Sequence, residues 1–230
     1  MTAIRTRMAE IQGRDFLVKQ IKAHRANKAE KVRRGYIMTA RLDQQIAFLN
    51  EADKLKSIDR ATVLADRSRA ENSAEHSWHL TLYALVLSDQ AKSGVDIARV
   101  IKMLILHDLV EIDAGDNPIF DDVDVAAMEA AEQVAADRIF SILPNDLCDE
   151  LRSIWEEFET AETDDAQFAK SLDRFQPPML NLAAGGGSWT DYNVTEQMIE
   201  DRVGSKIKVG APALWDYARA KISAFFRTAN

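Results

Sequence analysis

The chain has 230 residues, a formal net charge of −8, 47% hydrophobic residues and one cysteine. This length allows one good core in one or two domains, and the acidic balance argues against a nucleic acid polymer as the main partner. A single cysteine, Cys148, excludes a disulfide framework and a thiolate metal cluster. The chain has neither an apolar run of membrane-spanning length nor a secretory leader pattern. We therefore expect a soluble cytoplasmic protein without a membrane partner.

The charge is distributed unevenly along the chain. Before Met38 there are ten basic and three acidic residues, so residues 1–37 carry +7 and the rest carries −15. We interpret residues 1–37 as a basic extension, helical or flexible, in front of one domain at residues 38–230. A targeting peptide is less favoured because acidic residues are present and serine is absent. Alternatively, Met38 is the true start, since a more compact pattern begins there.

Helical periodicity dominates the sequence, and few alternating β-branched runs suggest strands. Asn72 followed by Glu75 resembles a capping box, Asp96 can cap the next helix, and the triple glycine 185–187 breaks the chain. Helices are predicted near residues 40–55, 73–91, 96–109, 122–142, 146–159, 162–182, 195–203 and 212–227. The predicted fold class is therefore all-α, a single helical bundle.

The run MLILHDLVEIDAGD begins as an apolar helix and ends in a histidine and four acidic residues. His107 and Glu111 are four positions apart and share a helix face, and Asp108 can reach the same point. Imidazole nitrogens and carboxylate oxygens bind divalent metals, and a glutamate one turn on could take a proton from a metal-bound water. The alternative is a capped helix end with solvated acids.

Two other segments, ENSAEHSWHL and FAKSLDRF, each place one polar residue in an apolar helix. His76 lies in the first turn of the earlier helix, and a half-buried histidine with satisfied hydrogen bonds is the plainer interpretation. Asp173 lies deep in the later helix and needs a partner, which Arg174 or Lys170 could supply as a salt bridge. Each signal is weak by itself.

Taken together, the order of His76, His107-Asp108 and Asp173 on separate helices resembles the HD superfamily of metal-dependent phosphohydrolases. ENSAEHSW, HDLVEIDAGD and IWEEFETAETDDAQFAKSLDRF are similar to segments of the HD-domain 5′-deoxynucleotidases, over about residues 40–225. The resemblance implies a single HD-domain helical bundle, a homodimer, and release of phosphate from (deoxy)nucleoside 5′-monophosphates by a metal-activated water. It also implies one divalent ion, which could be Mn, Co, Fe, Ni, Zn or Mg.

The resemblance also assigns roles to individual residues. The implied metal ligands are His76, His107, Asp108 and Asp173. Glu111 corresponds to the catalytic glutamate beside the nucleophilic water, and Asp116 to a second active-site acid. Chains with paired metals carry histidines between the HD pair and the last aspartate. This chain has none there, so one ion is expected, with His79 near the site but not a ligand.

The substrate residues are less closely matched. Arg60 lies near the position of a substrate-contacting arginine, and either Arg60 or Arg67 could bind a phosphate bidentately. The family arginine is followed by tryptophan, whereas Ala61 follows here, which leaves the nucleotide specificity open. Two alternative functions therefore remain. One is a phosphodiesterase or pyrophosphohydrolase acting on a modified nucleotide, and the other is a non-catalytic metal-binding nucleotide sensor.

Overall fold

A computed structural model describes residues 2–121 and 124–229, with side chains described for residues 33–121 and 124–228 and for several earlier positions. The chain divides into two compact units, Met1–Ile46 and Ala47–Asn230. Within the described residues, no helix combines the length and apolar character that a bilayer crossing requires.

The first helix, α1, runs from Thr2 to Ala52. In the first unit the side chains of residues 33–40 are all exposed, as expected for a basic, solvated segment. The helix continues through Met38 without a break, so no change of secondary structure marks the boundary predicted at residue 37. That boundary stays a prediction.

The second unit is helical apart from one short antiparallel strand pair, which confirms the all-α prediction. Its strands and helices are β1 (Asp59–Val63), β2 (Ala70–Asn72), α2 (Ser73–Val86), α3 (Ile97–Leu106), α4 (Glu111–Ala114), α5 (Val125–Phe140), α6 (Asn145–Thr160), α7 (Asp164–Ala183), α8 (Ser188–Asp191), α9 (Glu196–Ile199), α10 (Ser205–Gly210) and α11 (Pro212–Ala229). Tighter 3-10 turns lie at Asp53–Ser57, Ser88–Gln90 and His107–Val110, and a π-helical turn lies at Glu200–Gly204.

Side-chain caps begin the two helices that lead to the histidines. The Asn72 side chain accepts from the Glu75 backbone N–H, and the Glu75 carboxylate accepts from the Asn72 backbone, so the predicted capping box of α2 is confirmed. Asp96 caps α3 by accepting from the backbone N–H groups of Ala98 and Arg99. These caps satisfy N–H groups that have no partner inside the helix, and they fix where each helix starts.

Several predicted helix boundaries differ from the structure: the helix predicted at 40–55 runs from Thr2 to Ala52, and the helix predicted at 73–91 ends at Val86. The helix predicted at 96–109 ends at Leu106 and tightens into the 3-10 turn His107–Val110, so Glu111 begins its own short helix. The Trp155 indole N–H donates to the His107 carbonyl at 3.2 Å, which satisfies that oxygen outside the α-helical ladder. The helix predicted at 122–142 begins at Val125, and residues 122–123 lie outside the described residues.

The core is built around α7, which packs against α2, α3, α6, α10 and α11. Phe168 and Leu172 of α7 are fully buried, and each such side chain stabilises the fold by about 1.5–3 kcal/mol. The apolar face of α11, with Leu214, Ala218 and Ile222, is also buried, so it completes the protein's own core. This packing holds the middle of α7 beside the start of α2 and beside the 3-10 turn His107–Val110.

Candidate metal centre

The four predicted metal ligands converge from three separate segments. One atom each of His76, His107 and Asp108 lies within 4.8 Å of the others. Asp173 Oδ1 is 3.0 Å from Nε2 of His76 and 3.7 Å from Nε2 of His107. All four residues are buried. The structure therefore brings the start of α2, the 3-10 turn and the middle of α7 to one point.

The donor atoms of this cluster fit a divalent metal ion. Nδ1 of His107 lies 3.0 Å from the Leu104 carbonyl, to which it donates, so Nε2 is the ring nitrogen that faces the cluster and could bind a metal ion. Nε2 is buried and lies 3.0 Å from Asp108 Oδ1 and 3.7 Å from Asp173 Oδ1, but it makes no well-aligned hydrogen bond with the residues that the structure describes. A buried polar atom without a partner is rare, and a bound cation would satisfy it. Two imidazoles with two carboxylates are a ligand set typical of first-row divalent ions.

The electrostatics of the cluster keep its carboxylates ionised. Burial opposes the charge of Asp108, but His107 and Arg60 outweigh it and lower the pKa of Asp108 to about 2. Burial also disfavours a charged His107 ring, yet the Asp108 carboxylate raises the pKa of His107 to about 10. The pKa of Asp173 is well below its usual value, because Arg174 and the two histidines overcome the effect of burial. Anionic oxygens are thus available to a cation.

Arg60, on β1, lies between three carboxylates beside the ligand cluster. Its Nη1 donates to Asp108 Oδ2 at 2.9 Å and lies 3.5 Å from Glu111 Oε1 and 3.4 Å from Asp116 Oδ1. Its Nε is buried, and no partner for it appears in the described part of the chain. The guanidinium therefore keeps donors that are not used by these carboxylates.

Glu111 and Asp116 both have raised proton affinity. Burial and the Asp108 charge raise the pKa of Glu111 to about 9, although Arg60 opposes this, and the Ser73 hydroxyl donates to Glu111 Oε2. Burial likewise raises the pKa of Asp116 against the effect of Arg60. Gly115, with φ +76°, ends α4 and turns the chain back so that Asp116 reaches Arg60, a conformation that glycine adopts without strain.

A cavity of about 900 Å³ opens from this point, and Arg60, Ala61 and Glu111 line it. The structure does not bring Arg67 to it. That residue is exposed in the turn between β1 and β2, with φ +62°, and is not among the lining residues. Of the two arginines predicted to bind phosphate, Arg60 is therefore the one that lines the cavity.

Two polar residues behind His76 were not predicted from the sequence. The Gln176 carbonyl oxygen lies 3.1 Å from His76 Nδ1, and the Gln176 amide donates to Glu71 at 2.8 Å and to His79 Nδ1 at 3.2 Å. Burial lowers the pKa of His79, so its ring stays neutral and can accept. His79 contacts this network through its Nδ1, and its role as a non-ligand stays a prediction. The missed signal was that Gln176 follows Asp173 by three positions.

A second charged cluster, here called the outer wall, consists of Glu132, Glu159 and Lys170 and also lines the cavity. Lys170 Nζ is 3.1 Å from Glu159 Oε2 and lies 4.4 Å above the Phe158 ring. Burial and the Glu159 charge raise the pKa of Glu132 to about 7. These residues come from the consecutive helices α5, α6 and α7, and the sequence analysis did not predict that they form a cluster.

Comparison with known proteins places these observations in a family. The human and mouse 5′-deoxynucleotidases HDDC2 are each 29% identical to the chain over 130 residues, which is 56% of this chain and 62% and 64% of those proteins. The chain thus spans a little under two thirds of their length. A crystal structure described as a predicted metal-dependent phosphohydrolase from Magnetospirillum magnetotacticum MS-1 is 44% identical, with a TM-score of 0.77. This match covers 82% of this chain and 96% of the other.

The family model for the HD domain matches residues 52–215, which are more than half of the chain. The matched range begins before the strand pair and ends within α11. It therefore contains all the residues that converge at the candidate metal centre. The chain belongs to the HD domain family.

Proposed function

We propose that the chain is a metal-dependent 5′-nucleotidase that releases phosphate from (deoxy)nucleoside 5′-monophosphates. The observation that carries the proposal is the convergence of His76, His107, Asp108 and Asp173 in a buried cluster beside Arg60. The similarity to the 5′-deoxynucleotidases HDDC2 and to the phosphohydrolase structure supports it.

In this proposal the four residues of the ligand cluster hold one divalent ion, which could be Mn, Co, Fe, Ni, Zn or Mg. When bound, the ion would lower the pKa of water and stabilise the negative charge on the phosphoryl oxygens. Glu111 orients the attacking water and takes its proton on a carboxylate oxygen, since it lies beside the ligand cluster with its other oxygen held by the Ser73 hydroxyl. Asp116, whose pKa burial raises, holds a proton for the leaving oxygen of the nucleoside.

Arg60 binds the phosphate in this proposal. Its guanidinium is anchored through Nη1 by Asp108, while the buried Nε lacks a partner among the described atoms. A planar guanidinium with unused donors matches two phosphate oxygens, which a lysine ammonium cannot do in the same geometry. Anchoring by carboxylates also restricts the side chain before substrate arrives, so little conformational entropy is lost on binding.

The cavity favours one second candidate, a phosphodiesterase or pyrophosphohydrolase acting on a modified nucleotide. The volume of about 900 Å³ leaves room beyond a phosphate at Arg60, and the small Ala61 lines it. Lys170 and Arg174 also line the cavity and could bind a second phosphate. This reaction would use the same ligand cluster and the same base.

The test is phosphate release from a panel of 5′-deoxynucleotides and ribonucleotides. Chelated protein would be reloaded with manganese, cobalt, zinc or magnesium, and Glu111→Gln protein loaded in the same way would be the control. We expect metal-dependent release by the wild type alone. Release only from diesters or pyrophosphates would support the second candidate. Metal binding without release from any substrate would indicate a nucleotide sensor.

The proposal also includes a cytoplasmic homodimer, as the family resemblance implies. The buried face of α11 is not available for it, but α2 exposes an apolar stripe with Trp78, Leu82 and Leu85. These positions are spaced by four and three residues and therefore lie on one side of the helix. Sedimentation equilibrium would measure the mass, and a monomer at micromolar concentration would contradict the dimer.

A further inference from the structure

A buried hydrogen-bonded network lies at the Nδ1 edge of His76, the edge opposite the Nε2 that faces Asp173. Gln176 Oε1 is 3.1 Å from His76 Nδ1, and Gln176 Nε2 donates to Glu71 Oε1 at 2.8 Å. His76 and Gln176 are fully buried and Glu71 nearly so. Solvent therefore does not compete for these hydrogen bonds, and each group must be satisfied by the others.

One helix contacts both nitrogens of the His76 ring. Asp173 and Gln176 are three positions apart on α7, so their side chains share a face of the helix. Asp173 Oδ1 meets Nε2 at 3.0 Å, and Gln176 Oε1 meets Nδ1 at 3.1 Å. The orientation of the imidazole is thereby fixed from both sides by a single rigid element.

Glu71 determines which way the Gln176 amide faces. The Gln176 NH₂ group lies between two acceptors, Glu71 Oε1 at 2.8 Å and His79 Nδ1 at 3.2 Å, so the amide carbonyl faces His76. A carbonyl facing Nδ1 requires the ring proton to be on Nδ1. The reversed amide would place a carbonyl against the Glu71 carboxylate and an NH₂ group against the Nδ1 proton. With the proton on Nδ1, Nε2 of His76 is the nitrogen that can bind a metal ion, and Asp173 Oδ1, 3.0 Å from it, would bind the same ion.

His107 and His76 both donate from Nδ1, but to different acceptors. His107 donates from Nδ1 to the backbone carbonyl of Leu104, which no side-chain substitution removes. For His76 the acceptor is the Gln176 side chain, and Glu71 Oε2 lies 3.5 Å from Nδ1. That oxygen is buried and has no other hydrogen-bond partner among the described residues. Groups of this kind fix the tautomer of metal-bound histidine and raise its basicity.

We propose that Gln176 and Glu71 are positioning residues, which hold His76 with its proton on Nδ1 and thereby raise the affinity of the centre for its metal ion. The inference rests on the proposed ligand set and adds no ligand to it. A merely structural role would change the melting temperature, but it would leave the ring proton and the metal affinity unaffected.

The first experiment measures zinc and cobalt affinity of the full chain by competition with a chromogenic chelator. We expect Gln176→Leu to bind the metal about 10- to 100-fold more weakly than the wild type. Ser171→Ala is the matched control, because Ser171 is equally buried on α7 but bonds to the Gln167 and Ile207 carbonyls. Its affinity should equal that of the wild type even if its melting temperature falls.

The second experiment exchanges the two polar groups. Gln176→Glu alone should weaken metal binding, because the new carboxylate faces that of Glu71. The double variant Glu71→Gln/Gln176→Glu keeps an acceptor at His76 Nδ1 and a donor opposite it, so affinity should recover to within a few-fold of the wild type. Both substitutions retain polarity and volume, so this pair tests the inference even if Gln176→Leu fails to fold.

Nitrogen-15 NMR of the zinc-loaded protein provides a readout of the ring proton. The chain has only four histidines, so the His76 signals can be assigned by single substitutions. We expect a protonated Nδ1 and a zinc-bound Nε2 in the wild type. Binding through Nδ1, wild-type affinity in folded Gln176→Leu, or a double variant no better than Gln176→Glu would each overturn the inference.

His107→Ala separates this inference from the ligand set on which it rests. If His107→Ala loses the metal and Gln176→Leu binds it normally, the inference alone fails. If the wild type retains no metal, or His107→Ala retains it fully, the ligand set fails and the inference falls with it.

Discussion

The ligand cluster and the outer wall are both charged regions of one cavity, but they shift the pKa of a carboxylate in opposite directions. In the ligand cluster, His107 and Arg60 overcome burial and lower the pKa of Asp108 to about 2. In the outer wall, burial and Glu159 raise the pKa of Glu132 to about 7, and Lys170 offsets this only in part. Asp108 in the ligand cluster is therefore ionised at neutral pH, whereas Glu132 in the outer wall is partly protonated there.

The difference follows from where the compensating cations lie. Arg60 is itself nearly buried and contacts Asp108 directly, so their attraction acts with little screening by solvent. Lys170 is partly exposed and pairs with Glu159, so among the described residues Glu132 has no ion pair of its own. The contacts of Asp108 with His107 and Arg60 thus keep it ionised, whereas Glu132 is left as a group that titrates.

The largest expected effect is loss of the metal from the ligand cluster. His107→Ala or Asp108→Ala removes a ligand and leaves its buried partner unpaired, so we expect no retained metal after gel filtration. Glu159→Gln in the outer wall is the control and should retain the metal at the wild-type ratio. Metal content by mass spectrometry checks both. Equal content in wild type and ligand variants would refute the assignment and remove the contrast between the two regions.

Glu111→Gln should separate metal binding from turnover. Glu111 lies next to the ligand cluster, with Ser73 bonded to one carboxylate oxygen, but it is not one of the four proposed ligands. The amide keeps the shape and cannot take a proton, so we expect full metal content and at least about a 10²-fold loss of turnover. Steady-state kinetics of metal-loaded protein measure this. Undiminished turnover would remove Glu111 as the base.

Arg60→Lys tests whether the guanidinium geometry matters beyond its charge. A lysine keeps one positive charge near Asp108 and Glu111 but loses the planar fork. Losing a charged hydrogen bond to phosphate costs about 1.5–3 kcal/mol, which corresponds to a decrease in kcat/KM of roughly 10- to 150-fold. The matched variant is Arg67→Lys in the exposed hairpin turn, which should be silent. Equal losses in both variants would contradict the assignment of Arg60.

The sequence predicted the features that depend on local spacing. The capping box at Asn72 and Glu75, the cap at Asp96 and the ligand-bearing segments all follow patterns within a few residues. The 3-10 turn at His107 was not predicted, because the contact from Trp155 to its carbonyl comes from another helix. Local patterns do not contain such information.

The candidate site shows the same division between local and distant information. Four ligands could be named because the resemblance joins segments that are far apart in the chain. Gln176 was missed although it follows Asp173 by one helical turn, since a glutamine is an ordinary helix residue until its neighbour is known to be Glu71. The failure of Arg67 to reach the cavity depends on the β1–β2 turn, where its backbone is left-handed.

The smallest expected effect is a pH-dependent change in stability at the outer wall. The pKa of Glu132 is about 7 in the folded chain and 4.5 ordinarily, so the folded state binds the extra proton between pH 4.5 and 7. The stabilising contribution of this group is present below pH 4.5 and is lost as the pH rises to 7. Glutamine does not ionise, so the Glu132→Gln variant does not lose this contribution to stability as the pH rises. We therefore expect stability equal to the wild type at pH 4.5 and about 1 kcal/mol higher at pH 8, after allowance for solvent screening of a half-buried group.

Denaturant unfolding of wild type, Glu132→Gln and the exposed control Glu129→Gln at both pH values measures this difference. The control should show no pH-dependent gain, because the Glu129 side chain is exposed to solvent in the folded chain. A gain at pH 8 for Glu132→Gln alone shows that the outer wall lacks the compensating cation that the ligand cluster has in Arg60. If both variants behave as the wild type, Lys170 neutralises Glu132 as fully as Arg60 neutralises Asp108, and the two regions would not differ in the way argued above.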